Sequence, residues 1–289
     1  MPVRKLKWFF LVLVLTLAGC AAKPQPNHRM HVVTSVDFYA EVAKAVVGTH
    51  GTVTSVINDP AVDPHDFDPT VTTGKMVAKA DLVLANGAGY DAWMNKLTAA
   101  EPSVSTLSAA KIVGVKNGQN EHIWYTPTAM PKIARALATK LGRLDPKHKA
   151  DYQQNAKTYI KKLQPLMTLI DQLKQNAGDK QVAVSEPVFN NALAYMDYRV
   201  ANTHFAQAVE EGSDPSPQDV RQLNRQMATG KIAFFVVNTQ VSSKIVDNAI
   251  TMAKKYHIPI LHVTETLPKG LSYTSWMTKQ YRELQTIQN

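Results

Sequence analysis

The stretch HVVTSVDFYAEVAKAVVGTHGTVTSVI, residues 31–57, decides the architecture of this chain. His31–Ser35 is a β-branched run, Asp37 follows as a helix N-cap, and Phe38–Val47 reads as a helix stopped by Gly48. Thr52–Ile57 is a second strand. Outward from it the rhythm continues with a helix near Val71–Lys79, a strand at Leu82–Asn86 and a fourth near Val104–Leu107. Strands and helices alternating in this way predict a parallel sheet with helices on both faces.

The same rhythm returns after residue 180. Gln181–Ser185, Ile232–Val237 and Ile260–Val263 are strand-like, Val188–Met196 and Ser242–Tyr256 helical. Ser216 is placed to cap a helix with Pro217 at its first position. Between the two halves, Thr128–Leu141 and Pro146–Gln175 read as helices, the second up to ~30 residues, or ~45 Å at 1.5 Å per residue. Tyr152, Tyr159, Leu163, Leu166 and Ile170 keep one apolar face of it. Pro165 is expected to kink it, with two shorter helices as the alternative. The fold expected is α/β: two βα lobes with parallel sheets, residues 30–126 and 180–289, joined by a long helical connector, residues 127–179. A ligand site is then expected in the cleft between the lobes.

The N-terminus indicates a compartment. Arg4, Lys5 and Lys7 precede an apolar run, Trp8–Leu17, too short for an ordinary membrane span, so residues 1–19 read as a signal peptide. The segment Leu17-Ala18-Gly19-Cys20 resembles a bacterial lipobox, and Cys20 is the single cysteine of 289 residues. Cleavage before Cys20 and lipidation on it would leave residues 20–29 as anchor and tether, with the chain extracytoplasmic and membrane-attached. The mature chain then has no free thiol, so a metal site must be built from His, Asp and Glu. Removing Arg4, Lys5 and Lys7 from 32 basic residues leaves 29 against 23 acidic ones, a net charge of +6 instead of +9. That excess fits a polyanionic envelope. Nucleic acid is not an expected partner, because no dense Lys/Arg stripe is interleaved with aromatics.

Ligands of open α/β sheets bind beyond the carboxyl ends of the strands. Four metal-competent residues fall there. His65 lies in the Pro-framed acidic loop Asp63-Pro64-His65-Asp66-Phe67-Asp68-Pro69-Thr70, after the second strand. His122 precedes the central helices, Glu186 ends the strand Val182–Ser185, and Glu265 follows the last strand. Two from each half could converge on one ion in the cleft, and imidazoles with carboxylates suit zinc or manganese. Asp66, Asp68 and Glu121 could orient the imidazoles, or simply be solvated. His262 is a nearby substitute for Glu265, and His204 is expected to be structural.

These residues carry a resemblance. The chain is similar to the cluster A-I solute-binding lipoproteins of bacterial metal ABC importers, over nearly all of its mature length. The family pattern Asp-Pro-His-x-aromatic-acid-Pro is matched by Asp63–Pro69, the histidine two before an aromatic by His122 and Trp124, the Ser-Glu by Ser185-Glu186, and the final carboxylate by Glu265. The resemblance implies a non-enzymatic, monomeric receptor that captures Mn(II) or Zn(II) and delivers it to a membrane permease. It implies His65, His122, Glu186 and Glu265 as ligands. Val113–Glu121 lacks the His- and acid-rich loop of zinc-selective members, which also tend to carry His where Glu186 stands; both differences lean towards manganese. Glu265 departs from the usual Asp by one methylene. Two other readings stay open from the residues themselves: a zinc hydrolase, disfavoured by the lack of a His-Glu-x-x-His or Gly-x-Ser-x-Gly motif, and a surface adhesin whose metal is only structural.

Overall fold

The computed structural model describes residues 29–289; the signal segment, Cys20 and most of the tether lie outside the described residues. The first half is built on β1 (Met30–Val36), β2 (Gly51–Ile57), β3 (Leu82–Ala85) and β4 (Ser105–Ser108), in the order β2-β1-β3-β4. All neighbours are parallel, with Val32 registered against both Val53 and Leu82. The second half repeats this topology with β5 (Gln181–Val184), β6 (Arg199–Val200), β7 (Phe235–Asn238) and β8 (Ile260–Val263), ordered β6-β5-β7-β8 and again parallel. Central strands such as β3 (LVLA) are apolar at every position because helices cover both faces.

Helices fill the connections: α1 (Asp37–Val47), α2 (Val71–Ala78), α3 (Ala92–Ala99) and α4 (Ala109–Val113) in the first half, then α5 (Ala129–Leu144) and α6 (Lys149–Gln175). The second half carries α7 (Asn190–Tyr195), α8 (Thr203–Glu210), α9 (Pro217–Ala228), α10 (Lys244–Lys255) and α11 (Tyr273–Gln288). Asp37 is not the N-cap of α1. The extended backbone runs on through Val36, so Asp37 is the first helical residue and its carboxylate meets the positive helix end from inside. Gly48, at φ 59°, ends the helix as expected. Ser216 does cap α9, accepting from the Asp219 amide with Pro217 behind it. The strand read from Ile232 begins only at Phe235.

Pro165 does not divide α6, which runs unbroken for 27 residues, about 40 Å. Both Pro165 and Lys161, whose carbonyl the proline deprives of a donor, are exposed, so water can satisfy that carbonyl. The opposite face buries Tyr152, Tyr159, Leu163, Leu166 and Ile170 against α1, α5 and α11. Each such side chain withdrawn from water contributes roughly 1.5–3 kcal/mol. One apolar core runs from Val32 and Leu82 of the first sheet through Leu163 to Val184, Val236 and Trp276 of the second half. A smaller one lies under α9 and α10, around Leu223, Phe235 and Val246. The two sheets therefore share packed side chains.

Candidate metal centre

The loop after β2 is held in a fixed arc. Asp63 Oδ1 accepts from the His65 amide at 2.8 Å, an Asx turn that aims the imidazole. Trp93 Nε1 donates to the Pro64 carbonyl at 3.0 Å, and the Phe67 ring packs on Trp93 with centroids 4.7 Å apart. The His65 ring meets Tyr90 edge-on at 4.9 Å. Asp66 and Asp68 are exposed, so the solvated reading applies to them and Asp63 is the carboxylate that orients His65.

His122 is held differently. Asn86, at the end of β3, donates through Nδ2 to the Glu121 carbonyl at 3.0 Å and so fixes the segment entering the site. Asn120 Nδ2 donates to Pro187 O at 2.7 Å, and Asn191 Nδ2 donates to Asn120 Oδ1 at 3.1 Å. Asn120 Oδ1 is thereby the acceptor for His122 Nδ1, 3.2 Å away, which must carry the proton. Nε2 is left with a bare lone pair, 0% exposed and without a hydrogen-bond partner among the described residues. Burial, reinforced by the His65 charge, holds its pKa down at about 3, so the ring is neutral across the physiological range. A buried imidazole with its tautomer set by an outer partner is the form in which histidine binds a metal.

The second half contributes carboxylates. Glu265 Oε1, on the loop after β8, is buried, has no hydrogen-bond partner and lies 3.8 Å from His65 Nε2. Ligand atoms of His65, His122 and Glu265 all fall within 4.8 Å of one another, as do those of His65, Glu121 and Glu210. Glu186 is also buried, with Oε2 accepting from Asn238 Nδ2 at 2.8 Å; it belongs to neither of those groups. His262 turns away to Glu283 at 2.7 Å, and His204 is exposed beside Asp219.

Glu210 was not read from the sequence. It ends α8, a helix the sequence reading left out, and Val-Glu-Glu-Gly at residues 209–212 looks like an ordinary solvated helix end. Its Oε1 approaches His122 Nε2 at 3.3 Å. The site therefore crowds buried carboxyl groups around the two imidazoles. Burial first, then neighbouring carboxylates, raise Glu210 to about 9. Burial, then Asp63 and Glu186, raise Glu265 to about 8, and burial raises Glu186 to about 7. A divalent ion is what such a set can hold, since its charge offsets the mutual repulsion.

The family described as zinc-uptake complex component A, periplasmic (ZnuA), matches residues 32–287. The chain belongs to this family. Members of the ZnuA family are substrate-binding proteins of ABC importers rather than enzymes, which closes the hydrolase reading. Among ZnuA-like relatives, the metal ABC transporter substrate-binding lipoprotein SloC of Streptococcus mutans is 25% identical over 280 residues, covering 89% of this chain and 88% of SloC. The high-affinity zinc uptake system protein ZnuA of Bacillus subtilis is 24% identical over 311 residues, 94% of both chains. The fold is shared with an Mn-bound periplasmic metal-binding protein of Candidatus Liberibacter asiaticus, a serine-to-alanine variant, at TM-score 0.76 and 18% identity, covering 90% of this chain and all of that one. The zinc-binding TroA of Treponema pallidum superposes at TM-score 0.75 and 16% identity, covering 90% and 99%. The two-lobed α/β arrangement with a long helix is thus that of the ZnuA fold.

A clasp links the ligand loops of the two halves. Gln240 Oε1 accepts from the Glu265 and Thr266 amides at 2.7 and 2.9 Å, and its Nε2 donates to Thr266 Oγ1 and to Pro60 O, the latter at 3.1 Å. Thr266 Oγ1 donates to the same carbonyl at 2.9 Å. Gln240→Ala should weaken metal binding about tenfold, within the range for outer-shell losses, with every ligand retained. Competition against a chromogenic chelator reads this. Unaltered affinity would mean that Gln240 does not position Glu265.

Proposed function

We propose that the chain is the extracytoplasmic solute-binding subunit of a metal ABC importer, capturing Mn(II) or Zn(II) between its lobes and delivering it to the membrane permease. The observation that carries the reading is the bare, buried His122 Nε2 facing unpartnered Glu265 Oε1, with His65 Nε2 beside them. His65, His122 and Glu265 hold the ion, and Glu186 lies close enough for its charge to act on Glu265. The relatives named as metal-binding lipoproteins support lipid attachment at Cys20, with residues 1–19 removed and 20–29 as the tether. Residues 30–126 and 180–289 form the lobes and 127–179 the connector of a monomer.

Ligands from both lobes favour a closed form once the ion is bound. The apolar core continuous between the lobes and the stiff α6 keep the change on release small, so docking on the permease drives delivery. A cargo ion must leave without unfolding its carrier. Chelation should therefore yield a folded apo protein that rebinds one ion per chain, followed by circular dichroism and elemental analysis. An apo chain that unfolds would make the ion structural and sink the transport reading.

A further inference from the structure

Five residues of the cleft bring ligand atoms together in two sets, and two of them, Glu121 and Glu210, match none of the four family positions; Glu210 is the more buried of the two. Glu210 is carried by the last residue of α8, in the second half of the chain, 24 positions beyond Glu186. Its side chain is only 10% exposed, and its Oε1 has no hydrogen-bond partner among the described residues. That oxygen lies 3.3 Å from His122 Nε2 and 3.8 Å from His65 Nε2. His122 Nε2 is itself fully buried and unpartnered, and with Nδ1 protonated towards Asn120 it cannot donate to Glu210. The His122 lone pair therefore faces a carboxyl oxygen across 3.3 Å, a pair that either a proton or a metal ion can bridge, and a bound ion takes the proton's place.

The neighbouring residues show that Glu210 is specific in this. Glu211 is exposed, and Gly212, at φ 66°, turns the chain away directly after it. Glu186 already spends Oε2 on Asn238, whereas Glu210 has no such donor.

We propose that Glu210 is a direct ligand of the captured ion, placing a carboxylate oxygen beside the two imidazole nitrogens and Glu265. This rests on the metal-receptor reading and deepens it. An additional oxygen donor raises the coordination number the site can supply above the four of a closed tetrahedral zinc site. Oxygen-rich sets with more than four donors suit Mn(II), so Glu210 biases the site towards manganese against zinc's greater intrinsic affinity for nitrogen.

The test compares Mn(II) and Zn(II) affinities of Glu210→Gln, Glu210→Asp, the exposed control Glu211→Gln and His65→Ala by competitive titration. X-ray absorption of the Mn-loaded proteins gives the number of first-sphere oxygen and nitrogen donors. Glu210→Gln should weaken Mn(II) by about tenfold or more, weaken Zn(II) less, and alter the Mn coordination sphere; Glu211→Gln should do none of this. Glu210→Asp, which retracts the carboxylate by one methylene, should fall between. Wild-type Mn(II) affinity and an unchanged coordination sphere in Glu210→Gln, with binding lost in His65→Ala, would overturn the role of Glu210 and leave the receptor reading standing. Full binding in His65→Ala would remove the receptor site itself.

Discussion

Replacing His122 by Ala should remove measurable metal capture while leaving a folded protein. The side chain is 0% exposed, its tautomer is set by Asn120, and its Nε2 has nothing else to bond. Outer-shell losses cost about 10- to 100-fold in affinity; loss of a direct donor should exceed the upper figure. The fold tolerates the change because the unpartnered nitrogen disappears with the ring, which offsets part of the cavity left beside Trp124, whose centroid is 5.2 Å away. A melt with and without metal reports both effects. Ion at 100 times its dissociation constant stabilises the wild type by about 2.7 kcal/mol, and that gain should vanish in His122→Ala. A retained metal-dependent shift would show that the ion binds elsewhere.

The second large effect is on stability. Trp276 of α11 lies within 5.8 Å of the Phe38 ring of α1 and 5.9 Å of the Tyr125 ring, and its Nε1 donates to Thr264 Oγ1 at 2.7 Å. It is 1% exposed and joins the two halves next to the Glu265 loop. Trp276→Ala should cost about 3–5 kcal/mol, seen as a lower denaturant midpoint. It should also weaken metal binding, because Thr264, beside Glu265, loses its side-chain bond and keeps only the backbone bonds to Tyr125 and Gln280. Trp276→Phe keeps most of the ring and should cost mainly the hydrogen bond, about 1 kcal/mol. Equal destabilisation by both would mean that the N–H bond, and not packing across the halves, is what matters.

Much of this was legible in the sequence because it follows from local rules. Parallel strands covered on both faces are mainly apolar: β3 is so throughout, β5 after Gln181, and β1 apart from His31, Thr34 and Ser35. His65 entered the candidate set through its Pro-framed acidic loop, His122 through its place in the loop before the central helices, and Glu265 through its place beyond the last strand. Residues whose role depends on distant partners stayed hidden. Glu210 reads as half of an exposed acidic pair until α8 folds back and puts it beside His122, a residue 88 positions away. Gln240 looks like a loop glutamine until Pro60 and Glu265 meet it. Asp37 looked like an N-cap because the sequence does not reveal that the strand's extended geometry persists to Val36. Two shorter helices stayed open at Pro165 because its exposure, which lets water stand in for the lost bond, is a property of the packed molecule.

The chemistry of the centre follows from charge. Glu186, Glu210 and Glu265 all have pKa values raised first by burial, Glu210 also by Glu265 and Glu186, and Glu265 also by Asp63 and Glu186. Such crowding destabilises the empty site and favours whatever cation enters it. The two imidazoles then separate a transition metal from calcium or magnesium, which prefer all-oxygen cages.

The most direct measurement is the stoichiometry and reversibility of metal binding by the full-length chain, by elemental analysis with Mn(II) and Zn(II) titrations in parallel for wild type and His65→Ala. One chelator-removable ion per wild-type chain, none in His65→Ala, is the expected result. A wild type that binds no divalent transition metal, or a His65→Ala protein that binds one at full strength, would contradict it.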